Sequence, residues 1–160
     1  MERPSAEDWA RLLQSRDEAT LAGLAKLLGF AEARKTAANL TLLYDVDPDP
    51  ELLFDTPLAA LNAADADLAL NNLERLTGTV AASKLKSVLE RPDQRNKLLK
   101  VLGASPFLAG ILCRKPVYFD DLFISDEFGI PKDEERMLDE LRSRIPDTAD
   151  FPGLQKALRV

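Results

Sequence analysis

The sequence predicts an all-α fold, a bundle of short helices packed in antiparallel and near-perpendicular arrangements. Leucine and alanine recur at three- and four-residue spacing along most of the chain, which is the period of an amphipathic helix. Capping residues, glycines and prolines separate these periodic stretches. No segment gives a convincing strand pattern, so we expect helices without a sheet.

Residues 1–47 are predicted to form an N-terminal lobe of three helices. Ser5 is suited to cap the first helix and Asp17 the second, which Gly29 is suited to end. The apolar positions expected to face the core are Trp9, Leu12, Leu13, Leu21, Leu24, Ala25, Leu28, Ala33, Ala37, Leu40 and Tyr44. The last two helices resemble one unit of a helical-repeat protein, although no second copy of that unit follows.

A charged linker is predicted at residues 45–50, where aspartates alternate with other residues and two of those are prolines. The alternate aspartates resemble a calcium loop, but Pro50 and Thr56 stand where an EF-hand needs glycine and glutamate. Residues 48–160 are therefore assigned to a second helical module. Its first helix, over residues 51–64, is expected to be interrupted at Thr56-Pro57.

Asp65 and Asp67 form a D-x-D pair, which resembles the metal-binding carboxylates of nucleotidyltransferases. Those carboxylates lie on a strand after a glycine-rich turn. Here Ala63-Ala64 precede the pair and a helical period follows it. We therefore interpret the two aspartates as helix-capping residues.

The helix that follows Asp65 has two distinct faces. Ala66, Ala69, Leu70, Leu73 and Leu76 form its predicted buried face, whereas Leu68, Asn71, Asn72 and Arg75 lie together on the other side. This second face suits either of two roles. Its asparagines and arginine suit hydrogen bonds to neighbouring backbone carbonyls, and the same face suits contact with another domain or partner.

The most strongly encoded feature is a helix, a sharp corner and a second helix over residues 98–116. Gly103 is predicted to end the first helix in the left-handed conformation, and Ser105-Pro106 to begin the second. The second helix is expected to end at Arg114, Lys115 and Pro116. Its predicted apolar face consists of Phe107, Leu108, Ile111 and Leu112.

Residues 117–124 fit either an alternating strand or a helical turn. A polar loop is predicted from Ser125 to Lys132, after which Asp133 is expected to cap a final helix. The apolar residues of that helix are Met137, Leu138, Leu141 and Ile145. Another amphipathic segment begins at Leu154.

Composition narrows the functional classes. The chain has 160 residues, 46% apolar and 30% charged, which suits one globular protein of ordinary size. Its net charge of −6 gives no general attraction to nucleic acid, and the absence of histidine removes the commonest general base and most zinc sites. The single cysteine, Cys113, favours a reducing compartment, and no stretch resembles a signal peptide or membrane span. We expect a cytoplasmic protein that binds neither nucleic acid nor membranes.

Two stretches resemble the glutamine synthetase adenylyltransferase/adenylyl-removing enzymes. Ala69-Leu-Asn71-Asn72-Leu-Glu-Arg75-Leu is similar to the family's Ala-Leu-x-Asn-Leu-x-Arg pattern. Leu99 to Pro116 is similar to the family's run of Leu, Gly, Ala/Ser-Ser, Phe-Leu and Arg-x-Pro, in the helical segment upstream of the first catalytic domain. The two matches lie in the family's order and spacing.

The resemblance implies a part in the control of nitrogen assimilation. Enzymes of this family attach AMP to a tyrosine of glutamine synthetase and remove it by phosphorolysis. Their two nucleotidyltransferase-like domains each need Mg²⁺ and a Gly-Gly/Gly-x-Asp-x-Asp motif. That motif is missing from these 160 residues, so no catalytic, cofactor-binding or metal-binding residue carries over, and Mg²⁺ and ATP are implied only for catalytic domains outside them.

We therefore expect a non-catalytic N-terminal helical module of a longer enzyme. The implied partners are its own downstream catalytic domain, glutamine synthetase and a PII-type nitrogen regulator. The alternative is a stand-alone α-helical interaction scaffold without enzymatic activity. The candidate interaction residues, shared by both hypotheses, are Leu68, Asn71, Asn72, Arg75 and Arg114.

Overall fold

The computed structural model describes residues 6–125, residues 133–144 and Pro152. All regular structure in these residues is helical, which confirms the all-α prediction. The helices are α1 (Ala6–Ser15), α2 (Glu18–Leu28), α3 (Ala33–Val46), α4 (Pro50–Ala60), α5 (Ala66–Thr77), α6 (Ala82–Leu89), α7 (Pro92–Ala104), α8 (Pro106–Arg114), α9 (Val117–Phe119), which continues as a π-helical turn over Asp120–Ile124, and α10 (Glu134–Arg144).

The chain divides into two compact units, Met1–Asp126 with α1 to α9 and Glu127–Val160 with α10. The core of the first unit draws side chains from both sides of residue 47. The separation of residues 1–47 and 48–160 into two functional modules stays a prediction.

Helix α5 occupies the centre of the first unit, because it packs against α3, α4, α7 and α8. Four residues of its predicted buried face, Ala69, Leu70, Leu73 and Leu76, have no exposed surface, and the fifth, Ala66, is half-buried. Each leucine buried in this way contributes about 1.5–3 kcal/mol to stability. The largest fully buried side chains around it are Trp9, Leu13, Leu21, Leu40, Val88, Leu98, Leu99, Leu102 and Phe119.

The helix boundaries follow the predicted capping residues. Asp17, Asp65 and Ser105 each accept a hydrogen bond from the backbone N–H three residues ahead, at 3.2, 2.8 and 3.3 Å. Gly29 ends α2 with a φ of 107°, in the left-handed region that a side chain disfavours. These local signals fix where the helices start and stop.

Helix α4 runs through Pro57 without a break, so the predicted interruption at Thr56-Pro57 is wrong. A proline inside a helix has no N–H for the carbonyl four residues earlier, which here is that of Leu53. The indole Nε1 of Trp9 donates to this carbonyl oxygen at 2.9 Å. The tertiary contact therefore replaces the missing helical hydrogen bond.

The prediction that Gly103 is a left-handed helix end is also wrong, because α7 continues through it to Ala104. A Cβ at this position would lie 2.6 Å from the main-chain oxygen of Asp65 and 2.7 Å from the Cβ of Ala63. Glycine is required here because α7 lies against the backbone segment that leads into α5.

The predicted apolar face of α8 is wrong in part. Leu112 is buried, but Phe107 is 70% and Leu108 45% exposed. Ala109 and Gly110 are the other two buried residues of this helix. Ala109 packs into the core together with Leu112, whereas Gly110 is covered by the Arg114 side chain, and Phe107 and Leu108 remain at the surface.

Residues 117–124 adopt the helical alternative. The rings of Phe119 and Phe123 are both buried, with centroids 5.3 Å apart. After Phe119 the backbone widens into the π-helical turn, in which the N–H of Ser125 donates to the carbonyl oxygen of Asp120, five residues earlier, at 2.9 Å. The π-helical turn thus places both aromatic rings in the core.

The second unit contains α10 among its described residues. Asp133 Oδ1 accepts from the backbone N–H of Arg136 at 2.8 Å, so the predicted cap is confirmed. Met137 and Leu138, predicted apolar-face residues, are 47% and 44% exposed. The predicted positions Ser5, Ile145, Leu154–Val160 and most of the Ser125–Lys132 loop lie outside the described residues.

Candidate functional site

The second face of α5 is organised around Asn72, which is 1% exposed. Its amide Nδ2 donates to the main-chain oxygen of Leu102 in α7 at 2.9 Å. This carbonyl lies four residues before Pro106, which has no N–H to offer it. Asn72 therefore supplies the donor at the point where α7 ends and α8 begins, as Trp9 does for the proline inside α4.

Arg75 completes the group. Its Nη1 donates to Asn72 Oδ1 at 3.0 Å, so both ends of the buried amide are engaged. The rest of the Arg75 side chain is exposed at the surface. Leu68 and Asn71 are half-buried on the same helix. The structure thus joins Asn72 and Arg75 in one hydrogen-bonded group with α7.

Arg114 lies in the last turn of α8, where its charge complements the negative end of the helix dipole. Its guanidinium covers Gly110, one turn earlier, where a Cβ would come within 3.2 Å of Nη1. The side chain is exposed. No hydrogen bond or ion pair joins Arg114 to the Asn72–Arg75 group in the described part of the chain.

The D-x-D pair performs two separate capping tasks. Asp65 caps its own helix, whereas Asp67 accepts from the backbone N–H groups of Ala31 and Glu32 at 2.8 and 3.0 Å. Asp67 also accepts from the hydroxyl of Thr36 at 2.9 Å. The Asp65 carboxylate therefore caps the N-terminus of α5, and the Asp67 carboxylate connects α5 to the corner between α2 and α3.

Two aspartates of the predicted linker, Asp47 and Asp49, form ion pairs with one lysine, whereas Asp45 pairs with Arg16. Lys86 Nζ lies 3.1 Å from Asp47 Oδ2 and 3.4 Å from Asp49 Oδ2. Hydrogen bonding to Asp47, and then to Asp49, raises the pKa of Lys86 above its ordinary 10.5. The pKa of Asp49 lies below its ordinary 3.8, first because the N–H of Leu52 donates to it and then because of Lys86.

The described residues contain no group of three or more Cys, Asp or Glu side chains that could hold a metal ion. Asp120 is paired with Lys84, whose Nζ lies 2.7 Å from Oδ2. A small apolar cavity of about 30 Å³ lies between α3, α4, α5 and α6, with the buried Thr56 in its wall. Such a volume suits one or two water molecules and is far below that of a nucleotide site.

Three features of the structure were not predicted from the sequence: the hydrogen bond of Trp9 to the Leu53 carbonyl, the ion pairs of Lys86, and the outward orientation of Phe107 and Leu108 on α8. For Trp9 a signal was present, because any proline within a helix leaves a carbonyl that a buried side-chain donor can satisfy.

Within the described residues, no single helix is both long and apolar enough to cross a membrane; α7 and α8 meet that test only together, across a bend of 114°.

Comparison with known proteins shows that the chain is similar in sequence to enzymes of one name. The chain is 33% identical over 106 residues to the bifunctional glutamine synthetase adenylyltransferase/adenylyl-removing enzyme of Thioalkalivibrio sulfidiphilus, a match that covers 63% of the chain. It is 31% identical over 94 residues, 59% of the chain, to the enzyme of the same name from Psychromonas ingrahamii. The resemblance to this enzyme family is confirmed.

The match covers a small part of each relative, 11% of the Thioalkalivibrio enzyme and 9% of the Psychromonas enzyme. No family model matches the chain. No solved structure is significantly similar to it.

Proposed function

We propose that this chain is a non-catalytic helical module of a glutamine synthetase adenylyltransferase/adenylyl-removing enzyme. In this role it packs beside a nucleotidyltransferase-like domain in the cytoplasm and helps to position glutamine synthetase. Mg²⁺ and ATP act in the catalytic domains of the whole enzyme, and a PII-type regulator acts on the assembly.

The observation that carries this proposal is the similarity to two enzymes of that name over about three-fifths of the chain. The hydrogen bonds of the polar side chains to backbone groups also support a structural role for the module. Asp65 and Asp67 satisfy helix N-termini, and Asn72 satisfies a main-chain carbonyl. Residues that resemble catalytic groups in the sequence are engaged in holding helices together.

Direct binding to glutamine synthetase tests the proposal. The full chain is immobilised and exposed to glutamine synthetase from the same organism, with serum albumin as the control analyte. We expect saturable binding to glutamine synthetase alone. No binding at micromolar concentrations would overturn the proposal.

A second measurement tests the non-catalytic part. The chain is incubated with glutamine synthetase, Mg²⁺ and radiolabelled ATP, and incorporation of AMP is followed. We expect none above the level without the chain. Incorporation would show that these 160 residues hold an active site.

The alternative, a stand-alone interaction scaffold, is favoured by one observation, the exposed apolar side chains on α8. Affinity capture from extract separates the two functions. Stoichiometric recovery of an unrelated protein, without glutamine synthetase, would support the scaffold.

A further inference from the structure

Helix α6 is weakly stabilised by its own sequence. It spans eight residues, Ala82–Leu89, and no side chain caps its N-terminus, where Ala81 stands. Its first turn contains Lys84 and no acidic residue, so a positive charge lies at the positive end of the helix dipole. A helix of this length is not stable without tertiary contacts. The position of α6 therefore depends on the elements that it packs against.

The packing around α6 is uneven. The helix packs against α7 and the π-helical turn, whereas the cavity of about 30 Å³ lies between it and α3, α4 and α5. Leu85 and Leu89 of α6 line this cavity. The other leucines in its wall are Leu40, Leu43, Leu52, Leu53 and Leu73. Side chains that border a void lose part of their van der Waals contacts, so α6 is held less firmly on this side.

An ion group connects α6 to the α3–α4 linker at the edge of the cavity. Lys86 and Asp47 both belong to the cavity wall, and their side chains are 37% and 23% exposed. The Nζ atom of Lys86 lies 3.1 Å from Asp47 Oδ2 and 3.4 Å from Asp49 Oδ2. These ion pairs therefore join α6 to the rest of the bundle on the side where apolar packing is incomplete.

The wall of the cavity also contains an unpaired polar group. Thr56 of α4 is 3% exposed, and its hydroxyl Oγ1 has no hydrogen-bond partner within the described part of the protein. A buried hydroxyl without a partner costs free energy, which is recovered when water reaches it. The arrangement in which α6 covers Thr56 therefore carries a penalty that is relieved when α6 moves away.

We propose that α6 is a movable cover over an apolar cleft, and that the ion pairs of Lys86 with Asp47 and Asp49 are the latch that holds it closed. When the latch is released, α6 moves away from α3, α4 and α5, and the leucines of the cavity wall become accessible. The rest of the first unit keeps its fold, because its core is centred on α5. The opening is a local event that requires less free energy than global unfolding.

Hydrogen–deuterium exchange of the full chain measures this opening. The reporting amides are those of residues 86–90; the N–H of Glu90, for example, donates to the carbonyl oxygen of Lys86 at 2.9 Å. After correction for intrinsic rates, we expect these amides to exchange at least about tenfold faster than those of residues 69–76 in α5, without denaturant. Equal exchange in the two helices would show that they open together, and would overturn the proposal.

Two variants shift the opening in opposite directions. Lys86→Met removes both ion pairs and keeps most of the aliphatic chain, so exchange in α6 should become at least about threefold faster. Thr56→Val replaces the unpaired hydroxyl by a methyl group of similar size, so exchange in α6 should become at least about threefold slower. Lys35→Met is the matched control, because it removes an exposed lysine that pairs with Glu32, three residues earlier. It should leave exchange in α6 unchanged.

Salt tests the latch without a substitution. Raising the ionic strength from about 0.01 M to about 1 M should accelerate exchange in α6 of the wild type, and should not do so in Lys86→Met. Fast exchange in α6 that neither variant nor salt alters would overturn the assignment of Lys86 as the latch. All variants are first checked for unchanged helical content and cooperative melting. An equal change of exchange in α5 and α6 would assign the effect to global stability and would also overturn the proposal.

Discussion

Trp9 and Pro57 act on the same main-chain oxygen, that of Leu53. Pro57 removes the helical donor for this oxygen, and the Trp9 indole replaces it at 2.9 Å. Because Trp9 is 1% exposed, it also fills the space between α1 and α4. The pairing explains how a proline is accommodated in the middle of α4, and it makes the contribution of Trp9 depend on Pro57.

Trp9→Phe should destabilise the protein by about 1–3 kcal/mol more in the wild type than in a Pro57→Ala background. In the wild type the Leu53 carbonyl is left buried without a donor. In the Pro57→Ala background, the new N–H of residue 57 restores the helical bond. The free energies of unfolding in urea for the four proteins give the coupling directly. Equal costs of Trp9→Phe in both backgrounds would rule out the shared carbonyl.

Asn72→Ala should cost about 1–3 kcal/mol, since it leaves the Leu102 oxygen unpaired next to Pro106. Asn71→Ala, on the same helix but half-buried, is the control and should cost less than about 1 kcal/mol. Thermal and urea unfolding measure both. A similar loss of stability in the two variants would mean that the buried hydrogen bond from Asn72 to the Leu102 carbonyl contributes little to stability.

Gly103→Ala and Gly23→Ala should change stability in opposite directions. An alanine at 103 would force its Cβ to within 2.7 Å of backbone and side-chain atoms, so we expect about 1–3 kcal/mol of destabilisation. Gly23 lies in α2 with no atom within 4 Å of an added Cβ, so alanine there should stabilise by about 0.5–1 kcal/mol. The melting temperatures of the two variants, compared with that of the wild type, test this prediction. An unchanged melting temperature for Gly103→Ala would contradict the close packing of Gly103 against Ala63 and Asp65.

The ion group of Lys86, Asp47 and Asp49 should make stability depend on pH at both ends of the scale. The lowered pKa of Asp49 means that its contribution is present above the ordinary value of 3.8 and is lost as pH falls through the folded-state pKa. The raised pKa of Lys86 means that its contribution is present below 10.5 and is lost as pH rises through the folded-state pKa.

Lys86→Met isolates this effect. The difference in unfolding free energy between the wild type and the variant should be largest between the two pKa values, and should shrink in acid and in alkali. Lys26→Met, an exposed lysine of α2, serves as the control. A difference that stays constant from acid to alkali would show that Lys86 acts through packing instead of charge.

Local sequence signals located most of the helix ends. Asp17, Asp65, Ser105 and Asp133 cap the helices that they were predicted to cap, and Gly29 takes the left-handed conformation expected of it. These features depend on groups within a few residues of one another, so the sequence contains all the information needed. The resemblance to the adenylyltransferase family likewise came from local patterns in α5 and over the α7–α8 segment from Leu99 to Pro116.

Tertiary contacts decided the remaining features. Pro57 remains within a helix because Trp9, 48 positions earlier, satisfies the freed carbonyl. Gly103 serves close packing against Asp65 instead of a turn. In both cases the partner lies far away in the chain, and its position cannot be inferred from neighbouring residues.

The chain by itself therefore determined that the protein is helical, where most helices begin and which leucines of α5 are buried. Only the folded structure decided which side of α8 faces outward. Both of its sides are apolar, and the side with Ala109 and Leu112 is the one that packs into the core, while Gly110 is covered by the Arg114 side chain. That choice left Phe107 and Leu108 at the surface, since the free energy of burial depends on the fit to neighbouring helices as well as on hydrophobicity.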